Sequence, residues 1–210
     1  MDLQYNYHYS VMEKLKQQIL QDYPSWSEFV KGQSPEQLVV NYDFVTSLYK
    51  VYETSPFTLE LLTELYPRRQ SYAGYEYLEM WLRFLNDFLN INKGLQPQYI
   101  KQLSYILYAK YKHFRLSDLK LLFDYILESR YGTFYGSIDS QRIVSSFFEY
   151  NKERTDLFAK IEAQQKEAAK KAEKDKPYTP PDLSKYPNIA RLNQEGIRFI
   201  NNEIVHRRKL

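Results

Sequence analysis

The chain has no cysteine. Disulfides, zinc–thiolate sites, iron–sulfur clusters and cysteine nucleophiles are therefore excluded. Glycine is scarce, at 6 among 210 residues, which disfavours a turn-rich β protein and most glycine-loop nucleotide sites. No Gly-x-x-x-x-Gly-Lys phosphate loop and no Gly-x-Ser-x-Gly nucleophile turn occurs. Ser-x-x-Lys spacing recurs at Ser47/Lys50 and Ser117/Lys120, but without its companion Ser-Asp-Asn and Lys-Thr-Gly motifs. The three histidines, His8, His113 and His206, lie in different segments with no metal-ligand spacing. No enzyme, metal or cofactor is expected. No apolar run approaches the roughly 20 residues of a membrane-spanning helix. Met1-Asp2-Leu3-Gln4-Tyr5 lacks the basic-then-apolar pattern of a secretory signal. These two readings place the protein in the cytoplasm, with no membrane contact.

Tyrosine is abundant, at 21 copies against 12 Phe and 2 Trp, within a hydrophobic content of 43%. A tyrosine can bury its ring and keep its hydroxyl wet, so such a chain can build a core with amphipathic edges or an adhesive surface. Basic and acidic residues nearly balance, at 29 and 26, which neither demands nor forbids a nucleic-acid partner.

The pattern is helical throughout. Ser25 with Glu28, and Ser34-Pro35 with Gln37, are capping boxes. Ser55-Pro56 and Gln96-Pro97 repeat the proline device. Leu38, Tyr42, Val45, Leu48, Tyr49 and Tyr52 form one apolar stripe. Tyr77, Leu78, Trp81, Leu82, Leu85, Phe88 and Leu89 form a second, and Tyr99, Leu103, Ile106 and Leu107 a third. The spacing predicts helices near 8–22, 25–31, 34–53, 57–66, 75–92 and 97–112, with no strand and no internal repeat.

Arg115 to Arg154 is the most informative stretch, and Arg130 to Gly136, which joins two helices, is its most motif-like segment. Ser117 reads as an N-cap with Leu116 and Leu121 as its hydrophobic staple, and Gly132 as the residue that stops the helix near Tyr131. Asp139 then caps the next helix, stapled by Ile138 and Ile143. The junction is expected to be a rigid corner. If its aromatic side chains are exposed, Tyr131, Phe134 and Tyr135, with Tyr150 and Arg154, form a partner-binding surface.

The helix from Asp139 is expected to run far, through Phe147, Phe148, Phe158 and Ile161 into Gln164 to Lys174, which has no large apolar residue. Pro177, Pro180 and Pro181 end it in an extended linker. A last amphipathic helix follows, carrying Ile189, Leu192, Phe199, Ile200 and Ile204. The expected fold is all-α. An irregular multi-helix core occupies 1–161, a charged protruding helix and proline-rich linker 162–187, and a tethered C-terminal helix 188–210. That helix is a candidate protein-binding element, by groove docking, and a route to oligomerisation. Lys110, Lys112 and Arg115 cluster with Tyr108 and Tyr111, and Arg68 and Arg69 follow another helix end. These five cations are the nucleic-acid candidates, although cations at helix C-termini also complement the helix dipole.

The segment from Leu116 through Tyr131-Gly132-Thr133-Phe134-Tyr135-Gly136-Ser137-Ile138-Asp139 to Tyr150-Asn151-Lys152-Glu153-Arg154 resembles a pattern of uncharacterised bacterial and phage helical proteins. These are domains of unknown function, with a Tyr-Gly-x-Phe-Tyr-Gly-x-x-Asp turn and a Tyr-x-x-x-Arg helix end. The resemblance implies a mobile-element context, and some similar proteins are associated with replication, as in helicase loading. The leading expectation is a non-enzymatic adaptor of a phage or mobile element that binds a protein partner in DNA replication, acting in the host cytoplasm. The alternatives are a direct nucleic-acid-binding protein and a virion or assembly component.

Overall fold

The computed structural model describes residues 2–67, 72–89 and 93–174, with side-chain surroundings from Met12 to Ala172 within those ranges. The chain divides into two compact units, 1–163 and 164–210. The described part is all-α. Its helices are α1 (Asp2–Asp22), α2 (Trp26–Gly32), α3 (Pro35–Asn41), α4 (Leu48–Glu53), α5 (Leu59–Leu65), α6 (Ala73–Leu89), α7 (Pro97–Tyr111), α8 (Leu116–Leu127) and α9 (Ser140–Lys174). Among the described residues the only bridge pairings are isolated ones, such as Thr58 with Arg115.

Local caps set most helix starts. The Ser25 and Ser34 hydroxyls accept from the backbone N–H groups of Glu28 and Gln37. Gln96 precedes Pro97 at the first helical position of α7, and Asp139 accepts from the N–H of Gln141 at 2.8 Å ahead of α9. Ile138 and Ile143, the expected staple, are both buried.

The first unit packs around α6. Tyr77 and Trp81 are fully buried, with Leu78, Leu82 and Leu85 beside them. Phe29 meets Tyr77, Phe57 and Tyr66 at centroid distances of 5.5–5.7 Å. Trp81 meets Phe123 at 4.8 Å, and Phe114 stacks on Phe147. Two core tyrosines turn their hydroxyls inward to backbone acceptors. Tyr77 donates to the Gln33 carbonyl and Tyr66 to the Tyr23 carbonyl, each at 2.7 Å. A buried phenol needs such an acceptor to offset lost hydration. Helices α5 and α6 approach closely: a Cβ on Gly74 would lie 2.1 Å from the Leu59 carbonyl oxygen.

Several boundaries differ from the sequence reading. The expected helix 34–53 is two, α3 and α4, separated by a turn in which the Val45 N–H bonds the Tyr42 carbonyl. Ser47 caps the second piece, and the buried Lys120 ammonium donates to the freed Val45 carbonyl at 3.1 Å. Thr58, not Ser55-Pro56, caps α5. Helix α8 starts two residues earlier than expected, with Arg115 as its N-cap residue. Ser117 lies inside the helix, and its hydroxyl meets Thr54 Oγ1 at 2.6 Å.

The end of α8 is a Schellman motif. Arg130 N–H bonds the Tyr125 carbonyl, Ser129 N–H bonds that of Ile126, and Ser129 takes φ 61°. Ser129, not Gly132, is therefore the left-handed residue that stops the helix. Gly132, at φ 106°, shapes the turn beyond it, where a Cβ would strike the Arg142 guanidinium. Phe88, Tyr49, Tyr99 and Ile106, assigned above to apolar stripes, are 62%, 52%, 54% and 48% exposed, and Phe148 of α9 is 58% exposed.

Candidate functional site

The Arg130–Gly136 junction is mainly architectural. Tyr131 and Phe134 are half-buried against the core, and burial pushes the Tyr131 phenol well above its usual range. The Arg130 guanidinium lies 4.0 Å over the Tyr125 ring and pairs with Glu153 of α9 at 2.6 Å. The two helices are thereby clamped across the turn. Tyr135 alone among the three turn aromatics projects, at 84% exposed. Tyr150 is fully buried.

Tyr150 and Arg154 converge instead on a residue that the sequence reading passed over. Asp118 is fully buried. Its Oδ1 accepts from Tyr150 Oη and from Arg154 Nε, both at 2.8 Å, and its Oδ2 accepts from the Arg115 backbone N–H, also at 2.8 Å. Burial first, and the Asp118 charge second, push the Tyr150 phenol far up, so it stays a donor. Arg154 also lies over the Phe158 ring at 4.3 Å. The Arg115 guanidinium turns inward and donates from Nη1 to the carbonyls of Val51, Tyr52 and Thr54 at 2.8–2.9 Å, closing the C-terminal end of α4. Desolvation by burial lowers its pKa, and neighbouring Arg154 adds to that. The constellation ties α4, α8 and α9 together. Asp118, Tyr150, Arg154 and Arg115 are thus held by one another and by backbone groups.

The other nucleic-acid candidates fare unequally. Lys112 pairs with Glu60. Lys110 is exposed. Arg68 and Arg69 lie outside the described residues, as do Ile189, Leu192, Phe199, Ile200 and Ile204 of the expected C-terminal helix. Among the described residues no three His, Asp or Glu side chains cluster as metal ligands, and no helix is long and apolar enough to cross a membrane.

Two surfaces escaped the sequence reading. On the outer side of α6, Met80, Phe84 and Phe88 form a second apolar stripe at i, i+4, i+8 spacing. With Pro35, Glu36, Arg83 and Asp87 they line an open groove of about 380 Å³. The available signal was an apolar arc on α6 too wide for one buried face. On α7, the exposed positions Gln98, Lys101, Gln102, Tyr105, Ile106 and Ala109 fall on one stripe. The legible signal there was the absence of any Asp or Glu between Asp87 and Asp118.

A family model described as a family of unknown function (DUF6633) matches residues 97–195, which takes in α7, α8, the aromatic turn and the Asp118 clamp. No curated protein and no solved structure matches the chain.

Proposed function

We propose that the protein is a non-enzymatic adaptor that captures an amphipathic helix of a protein partner in the α6 groove. The observation that carries this reading is the Met80–Phe84–Phe88 stripe, in which Phe88 is exposed and Met80 and Phe84 are half-buried. Phe88 is 62% exposed and lies 5.9 Å from Phe84, centroid to centroid. An exposed aromatic ring beside half-buried apolar side chains, with a polar rim, is a common mark of a recognition surface. Apolar residues at helical spacing fit a helix laid into the groove. The rim leans acidic, because Arg83 is paired with Glu79 at 2.5 Å while Glu36 and Asp87 also border the groove. A partner helix with basic flanks is therefore favoured.

The setting in a phage or mobile element, and a helicase-loader-like role in DNA replication, belong to the same proposal. They rest on the resemblance of the Tyr131–Asp139 turn and its flanking helices, and a helicase or primase gene beside this one would support them.

The test is affinity capture from the native host with the wild-type chain and with a Phe84→Ala/Phe88→Glu variant. A protein retained by the wild type and lost by the variant, while the variant keeps its circular dichroism spectrum, supports the groove. An identical set of proteins from both chains removes it.

A further inference from the structure

We propose that the outer face of α7 binds single-stranded nucleic acid, with tyrosine rings as the base platform and lysines as the phosphate contacts. This surface is separate from the α6 groove, and the proposal stands whether or not the groove has a partner.

The argument starts with charge. Between Asp87 and Asp118 there is no acidic residue, whereas Lys93, Lys101, Lys110, Lys112, His113 and Arg115 all fall there. Two of these are spent: Lys112 on Glu60 and Arg115 on the α4 carbonyls. Lys93, Lys101 and Lys110 are exposed, and none has an ion pair among the described residues. Lys101 falls on the exposed stripe itself, beside Tyr105, whereas Lys110, nine residues on, lies about half a turn round the helix from it.

Lys101 borders a shallow depression of about 550 Å³, lined also by Tyr75, Gln98, Gln102, Tyr105 and Ile106. No carboxylate lines it. Tyr105 is 62% exposed and meets Tyr75 edge to face at 6.3 Å. That contact braces the ring while leaving most of it bare. Tyr72 and Tyr108 stack beyond, at 6.0 Å, with Tyr72 54% exposed. The carboxylates that bear on Tyr75 come from α6. Glu79, the nearer in influence, is neutralised by Arg83.

Aromatic faces interleaved with cations and amides, free of acidic residues, are what a sequence-tolerant single-strand platform requires. A protein interface would enrich tyrosine but deplete lysine. A duplex would want a projecting helix or loop for a groove, not rings laid open on a helix face.

The test is fluorescence anisotropy with the full-length chain and end-labelled oligothymidine and oligouridine of about 20 nucleotides, from roughly 50 to 200 mM salt. A duplex of equal length is the control. Tyr105→Ala is expected to weaken binding roughly 5- to 100-fold. Lys101→Gln is expected to weaken it at low salt and to shrink the slope of log K against log salt by about 0.7. Phe84→Ala/Phe88→Glu is expected to leave it unchanged, which separates this surface from the adaptor groove. Binding of either polymer with these responses supports the proposal, and the ratio of the two affinities shows whether DNA or RNA is preferred. No binding at the lowest salt, equal binding of duplex, or binding that survives both the Tyr105 and the lysine variants in folded protein overturns it.

Discussion

Substituting Asp118 by Asn changes two atoms' chemistry and almost no volume, so it isolates the charge at the centre of the clamp. The carboxylate is fully buried and accepts three hydrogen bonds, from the Arg115 N–H, Tyr150 Oη and Arg154 Nε. Arg154 is itself only 11% exposed on its side chain. An Asn offers one acceptor and one donor group. Whichever way it turns, its NH₂ faces either Arg115 N–H or the pair from Tyr150 and Arg154. One guanidinium loses its counter-charge in a buried site, and at least one donor meets a donor. Breaking a buried pair by removing one partner costs about 3–5 kcal/mol. That is a fifth or more of the roughly 5–15 kcal/mol that holds a domain folded. At about 2–4 °C per kcal/mol for a unit of this size, the melting midpoint should fall by roughly 6–20 °C. Thermal and urea unfolding followed by circular dichroism would measure it. Replacing Arg154 by Met in the same chain removes the orphaned charge, so the double variant should recover part of the loss. A fall of less than about 2 °C for Asp118→Asn would refute the clamp. A double variant no better than the sum of the singles would refute the coupling between Asp118 and Arg154.

Three further outcomes follow from the geometry. Ser129→Gly should raise stability by about 0.5–1 kcal/mol, read as a higher urea midpoint at constant slope, because φ 61° strains a serine and not a glycine. Gly74→Ala should lower it by about 1–3 kcal/mol in the same assay, since the new methyl meets the Leu59 carbonyl, a backbone atom that cannot swing aside. Alkaline titration followed at the phenolate absorption band should show a population of tyrosines that resists ionisation until the fold is lost. Burial raises Tyr66 and Tyr75 to about 12 and pushes Tyr77 and Tyr150 well above their ordinary value. The sign is fixed by linkage: the unfolded chain releases these protons near the ordinary value of 10, the folded chain above it. Stability is therefore intact below pH about 10 and declines as pH rises toward 12. All 21 tyrosines titrating together near pH 10 without unfolding would contradict this.

Local signals carried the sequence reading as far as local physics reaches. Ser25, Ser34 and Asp139 mark helix starts because their capping partners lie within three residues, and Gln96-Pro97 does so because proline suits the first helical position. The long helix from Ser140 was legible from uninterrupted helix formers. The misplaced boundaries depend on distant chain. The break between α3 and α4 is stabilised by Lys120, 75 residues away, and the inward turn of Arg115 by carbonyls more than 60 residues back. Ser129 stops α8 although Gly132 is available nearby. The clamp of Arg130 on Tyr125 and Glu153 places the turn, and its stabilisation outweighs the strain of a left-handed serine. The Tyr150/Arg154 pair was visible as i, i+4 spacing, but its meaning was not, because Asp118 lies more than 30 residues upstream. Phe88 shows the converse limit. Periodicity marks an apolar position on α6 without saying whether a neighbour covers it, and here none of the described residues does so fully.

The most direct test of the adaptor proposal places a photo-reactive phenylalanine analogue at Phe88 in one chain and at Tyr135 in another, both exposed positions, and irradiates each in the native host. The groove reading predicts one protein cross-linked at position 88 and not at 135, through a helical segment with basic flanks. Cross-links confined to position 135, or the same products from both positions, would contradict it and return the aromatic turn to the centre of recognition.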